Sequence, residues 1–295
     1  MIMKSVVVIY SPLCEQNGTF LSLLEEWLKG KDTEILEIPF DKVTDREKKW
    51  YKSCGLLENG RFLKSVFIDV FFEGKLIDSV PLRKENIEKG LGIAIHEKEE
   101  IFETAGEEIS VTEFRDLVCR GEVKWAPITE GNFREEMRLC TENYPYGSPP
   151  TRFHQRCITL KERVFREVFA RECSAGVFAM VDSNVIGLLE VFPREVIKKY
   201  GYLTGSNRRD EDYLTVGCLE VGYGIPRKEM IDELFFQLGK VYPDFRRHFL
   251  EGVGTFEWNT GFTPYWVYDK YGFHRRETLD EKRVIMEKRI HAVQE

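Results

Sequence analysis

Glu190, Glu220 and Tyr268 are among the side chains in the C-terminal half of this 295-residue chain whose types could move a proton. A carboxylate can take a proton from an amine, directly or through water, and a phenol can return one to a departing group. Glu190 lies in the second arm of a hairpin read over Val185–Phe192, and Glu220 near the end of a strand read over Asp212–Val221. Tyr268 falls in a short helical run, Tyr265–Lys270, and Glu257, after a later strand, is a further carboxylate of this kind. Plainer readings stand beside these: an outward-facing strand carboxylate for each glutamate, and a half-buried aromatic with a wet hydroxyl for the tyrosine. Gly222 and Gly224 precede a helix read over Ile225–Val241 that opens with Arg227 and Lys228. Glycines let a backbone approach an anion, and a helix N-terminus with basic side chains can hold one. A simple turn followed by a solvated helix start has the same composition. In the N-terminal half, Cys14 sits between a strand and a helix, where the helix dipole favours a thiolate, whereas a packed thiol is the plainer reading.

These residues need elements to hold them. At 42% hydrophobic and 13% aromatic residues, the chain can fill two cores, and its length fits two domains. A net charge of −7 works against nonspecific binding to nucleic acid or an anionic membrane, so neither is expected as a partner. The apolar start Val6–Tyr10 is too short for a signal segment or a membrane span, and no later stretch reaches membrane length. Seven cysteines, scattered and without a C-x-x-C pair, fit reduced thiols in a cytoplasmic protein. The five histidines show no H-x-x-x-H spacing, so no structural metal is expected.

Along the first hundred residues the order reads β-α-β-α-β-β-α. The strands fall at Ser5–Tyr10, Thr33–Ile38, Val66–Phe72 and Lys75–Val80, and the helices near Phe20–Leu28, Asp45–Ser53 and Lys84–Lys89. A polar stretch, His96–Gly106, precedes Ser110-Val111-Thr112-Glu113, whose capping-box spacing predicts a helix over Val111–Cys119. The expected division is therefore a domain over 1–100, a linker and connecting helix over 101–122, and a second domain over 123–295. That domain opens with a strand at Val123–Ile128 and a helix carrying Phe133, Met137 and Leu139. A turn-rich loop with Tyr144, Tyr146 and Ser148-Pro149-Pro150 leads to a helix over Phe153–Phe169 and a hairpin turning at Asp182-Ser183-Asn184.

The succession from Val123 to Ile290 resembles the GNAT acetyltransferase fold, and Tyr268-Asp269-Lys270-Tyr271-Gly272-Phe273 is similar to the pattern that joins its last helix to its last strand. Gly187-Leu188-Leu189-Glu190-Val191-Phe192-Pro193-Arg194-Glu195 and Cys218-Leu219-Glu220-Val221 resemble runs of one GNAT subgroup. The resemblance implies acetyl-CoA as co-substrate and direct transfer to an amine of a small molecule or peptide. Cys218, Leu219, Glu220 and Val221 would align the pantetheine. Gly222, Gly224, Arg227 and Lys228 would hold the pyrophosphate, Glu190 or Glu220 would act as base, and Tyr268 as acid beside the sulfur. The loop departs from the family's Q/R-x-x-G-x-G/A pattern: the aligned residues Pro226-Arg227-Lys228-Glu229-Met230-Ile231 lack both glycines. That departure keeps open a non-catalytic, ligand- or protein-binding descendant. The first hundred residues resemble the thioredoxin fold, with Cys14 at the first redox position. Position 17 is Asn17, so no dithiol redox activity is expected of this domain. The expected class is thus mixed α/β (α+β): a thioredoxin-like domain followed by a GNAT-like mixed-sheet domain.

Overall fold

Strand β1 (Lys4–Tyr10) buries both of its faces, Val6, Val8 and Tyr10 in one apolar cluster and Val7 and Ile9 in another. Period-two alternation with apolar residues on both sides is the mark of a central strand covered by helices. The computed structural model describes residues 4–63, 67–79, 82–95, 108–141, 152–206, 209–257 and 262–291. The chain divides into two compact units. Unit 1 is Met1–Ile101 with Pro150–Lys161 and Lys199–Leu203, and unit 2 is Phe102–Pro149, Glu162–Lys198 and Thr204–Glu295.

In unit 1, β1 is followed by α1 (Asn17–Leu28), β2 (Thr33–Pro39), α2 (Asp45–Ser53), β3 (Ile68–Phe72), β4 (Lys75–Ser79) and α3 (Lys84–Leu91). The sheet order is β2-β1-β3-β4. β1 and β2 run parallel, while β3 is antiparallel to both β1 and β4. Leu21, Leu24 and Trp27 of α1 and Ile87 and Leu91 of α3 cover one face; Tyr51 of α2 and Phe40 cover the other. Thr44 caps α2, and the Glu47 carboxylate accepts the Thr44 N–H at 2.9 Å, so two otherwise orphaned groups satisfy each other. Beneath α2, the Tyr51 hydroxyl donates to the fully buried Asp69 at 3.0 Å.

Unit 2 begins with α4 (Val111–Cys119), where the Ser110 hydroxyl accepts the Glu113 N–H at 3.2 Å, and β5 (Val123–Pro127). The single helix expected around Phe133 is two short ones, α5 (Phe133–Glu136) and α6 (Arg138–Thr141). Next come α7 (Arg152–Phe169), shared in sequence between the units, the hairpin β6 (Gly176–Val181) and β7 (Asn184–Pro193), and α8 (Arg194–Lys199). The remaining elements are β8 (Tyr213–Val221), α9 (Arg227–Val241), β9 (Phe249–Thr255), α10 (Tyr265–Lys270), β10 (His274–Thr278) and β11 (Arg283–Arg289). They form a mixed sheet of order β10-β11-β9-β8-β7-β6-β5, with the short strand Thr263–Pro264 beside β9. The β8/β9 pair is parallel and its flanking pairs are antiparallel. Among the described residues no helix is long and apolar enough to cross a membrane.

Helix α9 turns Met230, Ile231, Leu234, Phe235 and Leu238 onto the sheet, at the i, i+3/i+4 spacing of one helical face. Its close seat depends on Gly187 of β7, where a Cβ would lie 2.7 Å from the Met230 sulfur. Gly176 is more constrained still: its φ is +123°, and a Cβ there would lie 2.0 Å from the Leu189 carbonyl oxygen. Gly176→Ala is therefore expected to destabilise unit 2 by roughly 3 kcal/mol, combining backbone strain with overpacking. Urea denaturation checks this; a loss under about 1 kcal/mol would show that the hairpin shifts freely.

Candidate active site

β8 and β9 pair only at their first residues, Tyr213–Thr215 against Phe249–Glu251. Beyond this point they part. β8 is bulged between Val216 and Cys218 and stays registered with β7, Cys218 opposite Glu190, Glu220 opposite Leu188, and Val221 opposite Gly187. β9 turns instead to Thr263 and Pro264 through Gly254 and Thr255. Among the described strands, Cys218–Val221 thus pair on one edge only, leaving the backbone edge towards β9 open for a ligand. The bulge falls at Gly217, where a Cβ would sit 2.4 Å from the Phe192 ring, so the sheet can be packed this closely only with glycine there.

The root of the opening is fixed by a buried charge cluster that the sequence did not reveal. Glu251 is fully buried and accepts from Arg194 Nε at 3.0 Å and Thr215 Oγ1 at 2.9 Å, with the Gly205 N–H at 3.2 Å. A second guanidinium nitrogen of Arg194 closes the pair on the other carboxylate oxygen. The guanidinium also lies over the Tyr213 ring, 3.6 Å from its centroid. Thr215 and Glu251 are themselves cross-strand partners at the last shared position of β8 and β9. Pro193-Arg194-Glu195 appeared in the sequence only as part of a motif; nothing marked Arg194 as buried, because charged side chains seldom are.

Tyr268 of α10 is 3% exposed. Its ring packs 5.1 Å from Phe273 and 6.3 Å from Phe235, and it fills the space a side chain on Gly252 would need: a Cβ there would lie 2.6 Å from the ring. Burial pushes the Tyr268 phenol up, a hydrogen bond with the Thr263 side chain pulls it down, and the Cys218 thiol adds a further upward push. The phenol is thus held protonated against Gly252 of β9.

Leu219 and Val221 lean on the apolar core beneath α9. Alternation gives Cys218 and Glu220 the opposite face, shared with their cross-strand partners Glu190 and Leu188. Glu190 is fully buried. Burial raises the Glu220 carboxyl above the usual carboxylate range, against the opposing pull of Arg227, 4.0 Å away, and of the Val221 N–H at 3.3 Å. Glu257 is exposed, just past the end of β9. Tyr144, Tyr146, Ser148, Pro149, Pro150, Trp258 and Asn259 lie outside the described residues.

The loop into α9 keeps its two glycines close to the backbone of other elements. The Gly222 N–H donates to Ile186 at 2.9 Å; Gly224 has a φ of +73°, and its carbonyl accepts the Ile109 N–H at 2.8 Å. The first turn of α9 has no side-chain cap, and Arg227 and Lys228 are exposed there. Ile231 faces the core, and the Glu229 carboxylate pairs with Arg115 of α4 at 3.5 Å. Periodicity alone placed Ile231 on the core face; the ion pair depends on a helix that reads in sequence only as a connector.

Among solved structures, acetyltransferases match this chain. One from Thermus thermophilus matches at 10% identity, over 57% of this chain and 96% of its own, with a TM-score of 0.38. The PaiA N-acetyltransferase of Thermoplasma acidophilum, solved in complex with coenzyme A, matches at 13% identity over 57% and 98%, with a TM-score of 0.36. The GNAT domain of S. lividans PAT matches at 12% identity over 57% and 90%, with a TM-score of 0.39. No protein-family model and no curated protein matches the sequence.

Proposed function

We propose that unit 2 is a GNAT-type N-acetyltransferase that moves an acetyl group from acetyl-CoA directly to an amine of a small molecule or peptide. The observation that carries this reading is the parting of β8 from β9 beyond Thr215 and Glu251, with Tyr268 buried against Gly252 of β9. An open strand edge at Cys218–Val221 suits the amides of a pantetheine arm, which can add to a sheet by backbone hydrogen bonds. Gly222, Gly224, Arg227 and Lys228 suit a pyrophosphate, through the uncapped N-terminal turn of α9 and two exposed cations.

In this scheme the amine nitrogen attacks the thioester carbonyl and the C–S bond breaks. Glu220 takes the proton that the amine must lose, directly or through water, and the Tyr268 hydroxyl protonates the departing sulfur. Glu190 shares the face of Glu220 and is the alternative base. The raised Glu220 carboxyl suits a base working near neutral pH. It must be ionised to act, so kcat/KM is expected to rise with pH through a value above the usual carboxylate range. Arg227→Ala removes the nearest favourable charge and moves that limb to higher pH; an unmoved limb would remove Glu220 from the scheme. The same shift gives a sign for stability. With its folded value raised, this carboxyl favours folding below its unfolded pKa, and the contribution is lost as pH rises through the raised value.

The test is thiol release from acetyl-CoA across a panel of small amines and peptide N-termini: the reading requires amine-dependent release, and none with any amine would sink it. The competing reading, a descendant that binds without turnover, is favoured by one observation, the Glu229 carboxylate in the first turn of α9 where the family pattern has glycine. For unit 1, the sheet order β2-β1-β3-β4, with parallel β1/β2 followed by two antiparallel strands, supports the thioredoxin-like reading.

A further inference from the structure

Position 17, where a second thiol would follow Cys14 in a C-x-x-C motif, is taken by an asparagine with a structural task. Asn17 is fully buried and its Nδ2 donates to the Ser11 carbonyl at 2.8 Å, tying α1 to the end of β1. A second thiol of unit 1, Cys157, lies on α7. The segment Glu15–Thr19, which enters α1, lies against the part of α7 up to Lys161 at three points. Gly18 has no side chain, and a Cβ on it would lie 2.7 Å from the Cα and N of His154. The Thr19 hydroxyl is 2.9 Å from His154 Nε2. The Glu15 carboxylate, 1% exposed, accepts from Lys161 Nζ at 2.9 Å through both oxygens.

His154, Cys157 and Lys161 are spaced i, i+3, i+7 and share one face of α7. Cys157 is thus the residue of that face between the contact with Gly18 and the contact with Glu15, the immediate neighbour of Cys14. It is 2% exposed, packed with Tyr10, Leu21 and Leu24. Burial pushes its thiol up, and the next contributor is Cys14 itself, followed by Glu15. The contacts of Gly18 with His154 and of Glu15 with Lys161 hold the segment next to Cys14 against the α7 face that carries Cys157, and a disulfide there needs about 4.4–6.8 Å between Cα atoms. Cys14, half-buried, is the accessible member, and Cys157 the enclosed one.

We propose that Cys14 and Cys157 form a redox pair in unit 1 that closes to a disulfide by exchange with a small-molecule disulfide of the glutathione class. In the first step the Cys14 sulfur attacks the disulfide, and one small thiol leaves with the Cys14 proton. In the second, Cys157 attacks the Cys14 sulfur of the mixed disulfide, and the second small thiol leaves with the Cys157 proton. Two protein thiols are oxidised, one small disulfide is reduced to two thiols, and no other co-reactant is needed. The raised Cys157 thiol makes it the resolving member, because attack on a neighbouring sulfur is intramolecular and tolerates a small thiolate fraction.

The full chain treated with oxidised glutathione and mapped by peptide mass spectrometry tests this. The expected result is a Cys14–Cys157 linked peptide in the wild type, absent from Cys14→Ser, with glutathionylated Cys14 accumulating at least about tenfold more in Cys157→Ala than in the wild type. The wild-type linked peptide is read without any variant, so a folding defect in either substitution leaves the test intact. Glutathionylated Cys14 at equal levels in wild type and Cys157→Ala, or no modification of Cys14 at all, would overturn the proposal.

Discussion

Arg194→Leu is expected to cost unit 2 about 3–5 kcal/mol at neutral pH, the range for stranding one member of a buried ion pair. Arg194 is fully buried, makes two contacts with the fully buried Glu251, and lies over the Tyr213 ring, so its loss removes a cation, a hydrogen-bond set and a packing surface together. The remaining carboxylate would keep the Thr215 hydroxyl and the Gly205 N–H, which do not neutralise it. Two controls separate the causes. Arg194→Leu with Glu251→Leu removes both charges and should recover much of the loss. In the single variant, Glu251 lacks its cation and its folded pKa lies above the unfolded value. The deficit should therefore shrink as pH falls and grow as it rises. Urea denaturation at pH 5 and pH 8 reads both effects; a single-variant loss under about 1 kcal/mol at pH 8 would show that the pair does not hold β8 to β9.

Tyr268→Phe is expected to lower kcat by about 100-fold, the lower end of what a positioned acid contributes, while changing acetyl-CoA affinity by no more than about twofold. The ring is what Gly252, Phe235 and Phe273 enclose, and phenylalanine keeps it. Only the hydroxyl is lost, together with its bond to Thr263. Single-turnover measurement of thiol release under saturating acetyl-CoA isolates the chemical step. Unchanged kcat would leave Tyr268 as packing, and a fall in affinity equal to the fall in kcat would make it a binding residue.

Much of this arrangement is legible in residue patterns, because the elements that build it follow simple periods. The apolar stripe of α9, the Asp182-Ser183-Asn184 turn of the β6/β7 hairpin and the Ser110 cap of α4 all form where spacing and turn chemistry put them. What escapes is what depends on distant partners. Arg194 reads only as part of a motif and is fully buried, because the acid that holds it comes 57 residues later. Glu229 stands where the loop pattern has glycine, and its partner, Arg115, sits on a helix that looks like a connector. The strand parting is invisible for a related reason. Tyr213–Val221 and Phe249–Thr255 are both good strand sequences, and only the bulge at Gly217 and the turn of β9 towards Thr263 separate them. The units also interleave along the chain, Pro150–Lys161 joining unit 1 far from its other residues, and no local composition marks that crossing.

Calorimetric titration of the full chain with acetyl-CoA tests the central claim most directly, since transfer from acetyl-CoA requires that this opening hold it. Saturable heat from a single site per chain is predicted, lost or strongly weakened when Arg227 and Lys228 are both replaced by Glu, and strengthened in Glu229→Gly, which removes a carboxylate from the first turn of α9. No binding of the wild-type protein at millimolar acetyl-CoA would contradict the account.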